Sequence, residues 1–265
     1  MNESVRNQAA LITGGAKRLG KEMASALAKR GFDLVIHYNS SENEAVSLAN
    51  SLSSLGIKVV TLKANLLEHE ETIDLIAHAK EALGKPLNLL INNASIFTND
   101  SIENATLTSW DNHISSNLRA PFFLTQTFAH QVPDEMIDER GEFLAQGLVI
   151  NMVDQRVLKP TSHFATYTLA KMALWSFTQT AAISLAPRIR VNAIGPGPTI
   201  KMDTQSEEHF SNQRYNTILR RGSNPQDIVG AMNYFIDSPS VTGQLICTDS
   251  GQHLTWNPKF YGEDY

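Results

Sequence analysis

The 265 residues include a single cysteine, Cys247. It cannot form an internal disulfide, which points to a reducing compartment. No apolar run approaches the ~18 residues that suggest a membrane span. The first residues, Met1 to Gln8, lack the apolar core of a secretion signal. Basic residues are in deficit, 22 against 27 acidic, a formal charge of −5 with no basic block. Nucleic acid and an anionic membrane are therefore disfavoured as partners, and a cytoplasmic protein acting on a small molecule is expected. There is no internal repeat, low-complexity tract or linker, and no metal is expected. With 42% hydrophobic and 18% charged residues, a single folded domain over residues 1–265 is expected.

What is present is alternation. Short apolar runs rich in β-branched residues lie near Ala9–Thr13, Asp33–Tyr38, Ile57–Leu62, Leu87–Asn92, Leu148–Val153, Ile189–Ile194 and Gln244–Thr248. Segments with helical spacing lie between them: Arg18–Arg30, Glu42–Leu55, Glu70–Leu83, Ser109–Gln131, Ser162–Leu185 and Pro225–Ile236. Such an order predicts an α/β fold, a doubly wound, seven-stranded parallel sheet with helices on both faces. Ser41-Glu42-Asn43-Glu44 reads as a capping box. Gly31 and Gly56 stand where helices should stop, and Ser162 reads as a cap for the helix that follows it. Val132–Gly147, polar and acidic, reads as a surface excursion; polar Thr199–Arg221 reads as a lid.

At the first strand–helix junction stands Gly14-Gly15-Ala16-Lys17-Arg18-Leu19-Gly20. Glycines there let the backbone approach a pyrophosphate, and the helix N-terminus offers free N–H groups; a tight turn without a ligand is the alternative. In sites that bind a dinucleotide through its ribose hydroxyls, a carboxylate follows about 20 positions later. Here the second strand ends His37-Tyr38-Asn39-Ser40-Ser41, with no carboxylate at its tip. Hydroxyl and amide groups there, with Lys17 and Arg18, suit a 2′-phosphate, so NADPH is expected over NADH. Glu42, one residue on, reads as a first-turn carboxylate facing solvent. Further along, Tyr167 and Lys171 lie four residues apart on one helix face. A phenol with a pKa of ~10 is a poor acid or base at neutral pH, and a nearby ammonium would lower that value.

Taken in order, Thr13-Gly14 leading to Leu19-Gly20, then Asn92-Asn93-Ala94, then Tyr167-x-x-x-Lys171, the chain resembles the short-chain dehydrogenase/reductase family over nearly its whole length. The resemblance implies a Rossmann-like sheet, a nicotinamide cofactor, and Tyr167 and Lys171 as catalytic residues. It also implies that Asn117 disturbs its helix to hold a water of the proton relay, with a mid-helix Asn bonding in its own turn as the alternative. It puts Asn65 near the adenine, or in a plain turn. It brings Asn93, Ala94 and the backbone of Pro196 and Gly197 against the cofactor, with Thr199 as a candidate contact.

Departures from the family refine the expectation. The family turn usually has glycine where Arg18 stands, and the last strand ends with a second glycine where Ser250 stands. The usual catalytic serine thirteen positions before the tyrosine is Asp154. An ionised carboxylate cannot donate a hydrogen bond and would repel a developing alkoxide. A substrate with N–H groups, or a C=N bond needing a proton, suits it better. The pattern Asn151-Met152-Val153-Asp154, with Ser95 and Phe97 after Asn93-Ala94 and basic Arg18 in the turn, resembles pteridine reductases. That resemblance implies Ser95 touching cofactor or pterin, Phe97 stacking the flat ring, and Arg18 reaching a pterin carbonyl. The bland alternatives are Asp154 as a loop residue and Phe97 as core. Reduction of a dihydropterin-type substrate is expected; the rivals are a carbonyl or 3-oxoacyl reductase and a non-catalytic NADPH-binding regulator. The family also implies a homotetramer or dimer, and aromatic residues from Trp256 to Tyr261 suggest a tail packing on a neighbouring subunit.

Overall fold

The computed structural model describes residues 8–203 and 205–255; the aromatic tail from Trp256 lies outside them. In chain order the elements are β1 (Ala9–Ile12), α1 (Arg18–Lys29), β2 (Asp33–Tyr38), α2 (Glu42–Ser53), β3 (Val59–Lys63), α3 (His69–Leu83), β4 (Leu89–Asn92), α4 (Leu107–Ile114), α5 (Ala120–Gln131), β5 (Met136–Ile137), β6 (Phe143–Leu144), β7 (Gly147–Met152), α6 (Ala165–Leu185), β8 (Ile189–Pro196), α7 (Glu207–Tyr215), α8 (Pro225–Asp237) and β9 (Leu245–Thr248). Among the described residues, seven strands form one sheet in the order β3-β2-β1-β4-β7-β8-β9, every pair parallel. The expected doubly wound α/β architecture is therefore present.

The sheet is apolar on both faces because successive residues of a strand point to opposite sides. Ala10 and Ile12 of β1 pack with Met23, Leu27 and Phe235, under α1 and α8. Ala9 and Leu11 pack with Leu75, Leu124 and Phe128, under α3 and α5. Gly31, Gly56 and Gly84 have left-handed φ values of 84°, 81° and 76° at helix ends, as helix-stopping glycines should. No helix among the described residues is long and apolar enough to cross a membrane.

Local corrections have physical causes. Ser41 starts α2 without a side-chain cap, and Glu44, its supposed box partner, instead meets Lys17 Nζ at 2.6 Å. Ser162 does not cap α6. That helix begins at Ala165 after Phe164, which sits at φ 58°. Asp100, 66 residues upstream, accepts the Thr166 N–H (3.1 Å). Residues 109–131 are not one regular helix. A π-helical turn, Ser115–Arg119, joins α4 to α5. The acidic excursion contains the small hairpin β5–β6, whose Met136, Ile137 and Phe143 are exposed.

Candidate active site

A cavity of about 580 Å³ opens at the C-terminal ends of the parallel strands, where ligands bind in open α/β sheets. The glycine turn forms one wall. A Cβ on Gly20 would stand 2.2 Å from Gly14 O and 2.8 Å from Asn93 Nδ2, so only glycine permits that approach. Asn93 locks the turn, donating from Nδ2 to Thr13 O (2.9 Å) and Gly14 O (3.1 Å). Helix α1 has no side-chain cap and no acidic residue in its first turn. Its first N–H groups and positive dipole end are thus left for an anion. A phosphate-bearing dinucleotide fits this cradle.

His37, unremarked in the sequence, braces the turn. Its Nδ1 accepts the Gly14 N–H at 3.0 Å, so Nε2 carries the proton toward Ala64 O, also at 3.0 Å. Burial lowers its pKa to about 4, which keeps the ring neutral as the accepted bond requires. Lys17, Tyr38, Asn39, Ser40 and Ser41 line the adjoining wall. Glu42 lies off that wall and hydrogen-bonds Tyr38, whose phenol is raised by desolvation and then by that carboxylate.

The catalytic candidates converge. Tyr167 is 5% exposed, and its hydroxyl donates to Asp154 Oδ2 at 3.0 Å. Asp154 Oδ1 accepts the Arg156 N–H at 2.8 Å, capping a short 3₁₀ turn, Gln155–Val157. Lys171 Nζ donates to Met152 O (2.7 Å) and stands 5.7 Å from the Tyr167 ring centre. The expected lowering of the phenol by lysine is not found. Burial and the Asp154 carboxylate push Tyr167 well above its usual value, opposed weakly by Arg156 and the Ser95 hydroxyl. Burial brings Lys171 down to about 8, against the pull of Asp154. The arrangement holds a protonated phenol against a carboxylate.

Asn117, fully buried, sits in the π turn, a distortion common at functional sites. Its Oδ1 accepts the Ile96 N–H and its Nδ2 donates to Ile96 O, both at 2.9 Å. The side chain thereby fixes the loop that carries Ser95 and Phe97. Phe97 lines the cavity, but one face is already covered by Phe164, stacked at 4.2 Å, and its ring meets Tyr167 edge-on at 4.6 Å.

Some expected site residues are placed differently. Asn65 is not on the cavity wall; its Oδ1 accepts the Leu67 N–H (3.1 Å) in a local turn. Arg18 lines the cavity, yet its guanidinium donates to Ile200 O (2.9 Å) and Lys201 O (3.0 Å) across it. Leu19, Ala94, Pro196, Gly197 and Thr199 do line it; the Thr199 hydroxyl is shared with Gly197 O (2.9 Å) and Ser223 Oγ (2.7 Å). Three groups escaped the sequence reading. Asp100, His113 and Thr166 form a buried chain, His113 Nδ1 lying 2.6 Å from Thr166 Oγ1, and no local spacing links them. Phe210 and Gln213 reach the cavity from α7, inside the expected lid. Arg156 lines the wall two residues beyond Asp154.

Comparison with known proteins agrees with this geometry. The short chain dehydrogenase family model matches residues 8–213. Pteridine reductase 1 of Leishmania tarentolae is 29% identical, covering 96% of this chain and 99% of that protein. A 3-oxoacyl-[acyl-carrier-protein] reductase of Staphylococcus epidermidis is 26% identical over 94% of this chain and 100% of that one. Among solved structures, FolM alternative dihydrofolate reductase 1 from Brucella suis, in complex with NADP, superposes with a TM-score of 0.88 at 37% identity, covering 96% of this chain and 99% of that one.

Proposed function

The chain belongs to the short-chain dehydrogenase family of oxidoreductases, and within it we propose that it reduces a dihydropterin-type substrate with NADPH. The observation that carries this assignment is the 3.0 Å bond from the Tyr167 hydroxyl to Asp154, in the place of the family's serine. A carbonyl becoming an alkoxide builds negative charge beside that carboxylate. A like charge ~4 Å away, at an effective dielectric of ~20, opposes it by about 4 kcal/mol. A C=N nitrogen can instead take its proton first, building positive charge that the same carboxylate stabilises.

The cradle from Gly14 to Gly20 would hold the pyrophosphate, Asn39, Ser40 and Ser41 the 2′-phosphate, and the Pro196–Thr199 backbone the nicotinamide end. Bound there, NADPH supplies the hydride. Tyr167 hands its proton to the ring nitrogen, and Asp154 orients the phenol and favours its protonated form. Lys171, anchored on Met152 O, offsets the phenolate left behind. Asn117 keeps Ser95 and Phe97 in place. Exposed Trp110, Phe122, Leu169 and Ile183 on α4, α5 and α6 support assembly into a tetramer, and the lone cysteine a cytoplasmic setting.

The test follows NADPH oxidation with 7,8-dihydrobiopterin, 7,8-dihydrofolate and a β-ketoester side by side. Turnover of either pterin, at least about tenfold slower with NADH, is expected. Turnover of the ketoester alone would favour the 3-oxoacyl reductase alternative, and NADPH binding without turnover a regulator. Tyr167→Phe should lose activity by about 10²–10⁴-fold while still binding NADPH, read by fluorescence.

A further inference from the structure

Arg156 is a cation in the cavity wall with more donors than partners. A guanidinium has five N–H groups. Among the described residues its one hydrogen bond runs from Nη1 to Thr161 Oγ1, at 2.8 Å. Its Nε lies 3.9 Å from Asp154 Oδ1, an ion pair beyond hydrogen-bond reach. The side chain is 12% exposed and lines the cavity. None of its nitrogens is among the buried polar atoms left without a partner, so the remaining donors meet the open cavity rather than the packed interior. A guanidinium fork that faces a cavity offers those donors to the acceptor that enters it in place of water.

The surroundings define that acceptor's place. Asp154 presents Oδ2 to Tyr167 and Oδ1 toward Arg156. Arg156 therefore lies one carboxylate's width away from the phenol that moves the proton. Its guanidinium carbon stands 5.9 Å from the Phe97 ring centre and 4.7 Å from that of Phe164, within the range of cation–π attraction. The backbone holds it too, since Asp154 caps the turn that carries it. A rigid, underused donor set beside the reacting edge, not on it, suits a group attached to the ring.

We infer that Arg156 is a specificity-determining residue that donates to an oxygen-bearing substituent of the reduced ring, a hydroxylated or carboxylated side chain. The inference rests on the dihydropterin assignment and sharpens it: the preferred substrates carry hydrogen-bond acceptors outside the ring, and unadorned pterins bind weakly. A planar fork favours a carboxylate bidentately and a diol through separate N–H groups.

The test measures kcat and KM for three substrates, 6-methyl-7,8-dihydropterin, 7,8-dihydrobiopterin and 7,8-dihydropterin-6-carboxylate, in wild type, Arg156→Met and Arg156→Lys. In wild type KM for the oxygenated substrates should be lower than for the methyl compound by about tenfold or more, the worth of a charged hydrogen bond. In Arg156→Met that ratio should collapse to below about twofold through a rise in KM, and Arg156→Lys should restore part of it for the carboxylate. The larger ratio, hydroxylated or carboxylated, identifies the side chain. An unchanged ratio in Arg156→Met overturns the inference. So does an equal loss on all three substrates, which would mark Arg156 as a brace for Asp154 and Phe164. If wild type reduces none of the three, the dihydropterin assignment itself falls and the inference with it.

Discussion

Lys171→Met separates the lysine's electrostatics from its packing. Lys171 is 2% exposed, and burial takes its pKa from 10.5 to about 8 although Asp154 pulls the other way. At roughly 1.4 kcal/mol per pH unit, that gap amounts to about 3 kcal/mol. The sign follows from proton counting. Below about pH 8 the folded and unfolded chains both hold the proton, and the full penalty of a buried charge applies. Between about 8 and 10.5 the folded chain releases it first, so stability rises with pH; above that the penalty is gone. Methionine carries no such charge at any pH. It does forfeit the 2.7 Å bond to Met152 O, and a buried carbonyl left unpaired costs about 1–3 kcal/mol at every pH. Near neutrality the two effects largely cancel; near pH 10.5 only the lost bond remains. Urea unfolding should therefore show wild type gaining on the variant by about 3 kcal/mol between neutral pH and ~10.5. Stability curves that run parallel across that range would refute the reasoning. Hydride transfer by the variant should fall about 10²-fold or more, and wild-type kcat/KM should decline as pH rises through about 8.

Asp154→Ser should weaken dihydropterin reduction by about 10²-fold and raise β-ketoester reduction, since the ~4 kcal/mol opposition to an alkoxide disappears; steady-state kinetics on both substrates reads it, and a variant unchanged on both would make Asp154 a bystander. His37, held down to about 4 by burial, predicts acid sensitivity. The unfolded chain takes up its proton near 6.5, so about 3 kcal/mol of stability is lost as pH falls from about 6.5 to 4; His37→Asn should flatten that slope in urea titrations. Ser40→Asp puts a carboxylate at the tip of β2, and the ratio of kcat/KM for NADPH to NADH should drop by about tenfold or more; an unchanged ratio would place the 2′-phosphate elsewhere.

The strands and the catalytic pair were legible because their signals are local or periodic. Runs such as Leu34-Val-Ile and Leu89-Leu-Ile announce buried strands, and four-residue spacing puts Tyr167 over Lys171. Periodicity also ran Ser109–Gln131 together as one helix, because a π turn inserts within a continuous helical pattern and leaves no mark in composition. Pairings between distant residues were hidden for the opposite reason. Ser41 and Glu44 have the spacing of a capping box, but Lys17 takes the carboxylate from another element. Ser162 stands where a cap belongs, but Asp100 arrives from the loop after β4. The phenol's pKa moved opposite to expectation because spacing located the lysine but said nothing of burial, which acts on Tyr167 before any neighbour.

The two glycine replacements noted in the sequence both fall at left-handed backbone positions. Arg18 and Ser250 adopt left-handed φ values of 51° and 55°, a conformation that costs a non-glycine residue roughly 1–2 kcal/mol. Glycine would avoid that strain at both positions. The Arg18 side chain instead holds the segment between the Gly-Pro turn and α8. Arg18 reaches across the cavity to Ile200 O and Lys201 O. Ser250 offers only its main-chain carbonyl, to the Leu219 N–H at 3.2 Å, a contact that glycine would make as well. Between them Arg214 donates to Pro198 O (3.0 Å), Ser223 O (2.6 Å) and Asn224 Oδ1 (3.0 Å), tying the segment's two ends together. At about 0.5–1.5 kcal/mol net per bond, the two Arg18 contacts are comparable in size with the strain of its backbone.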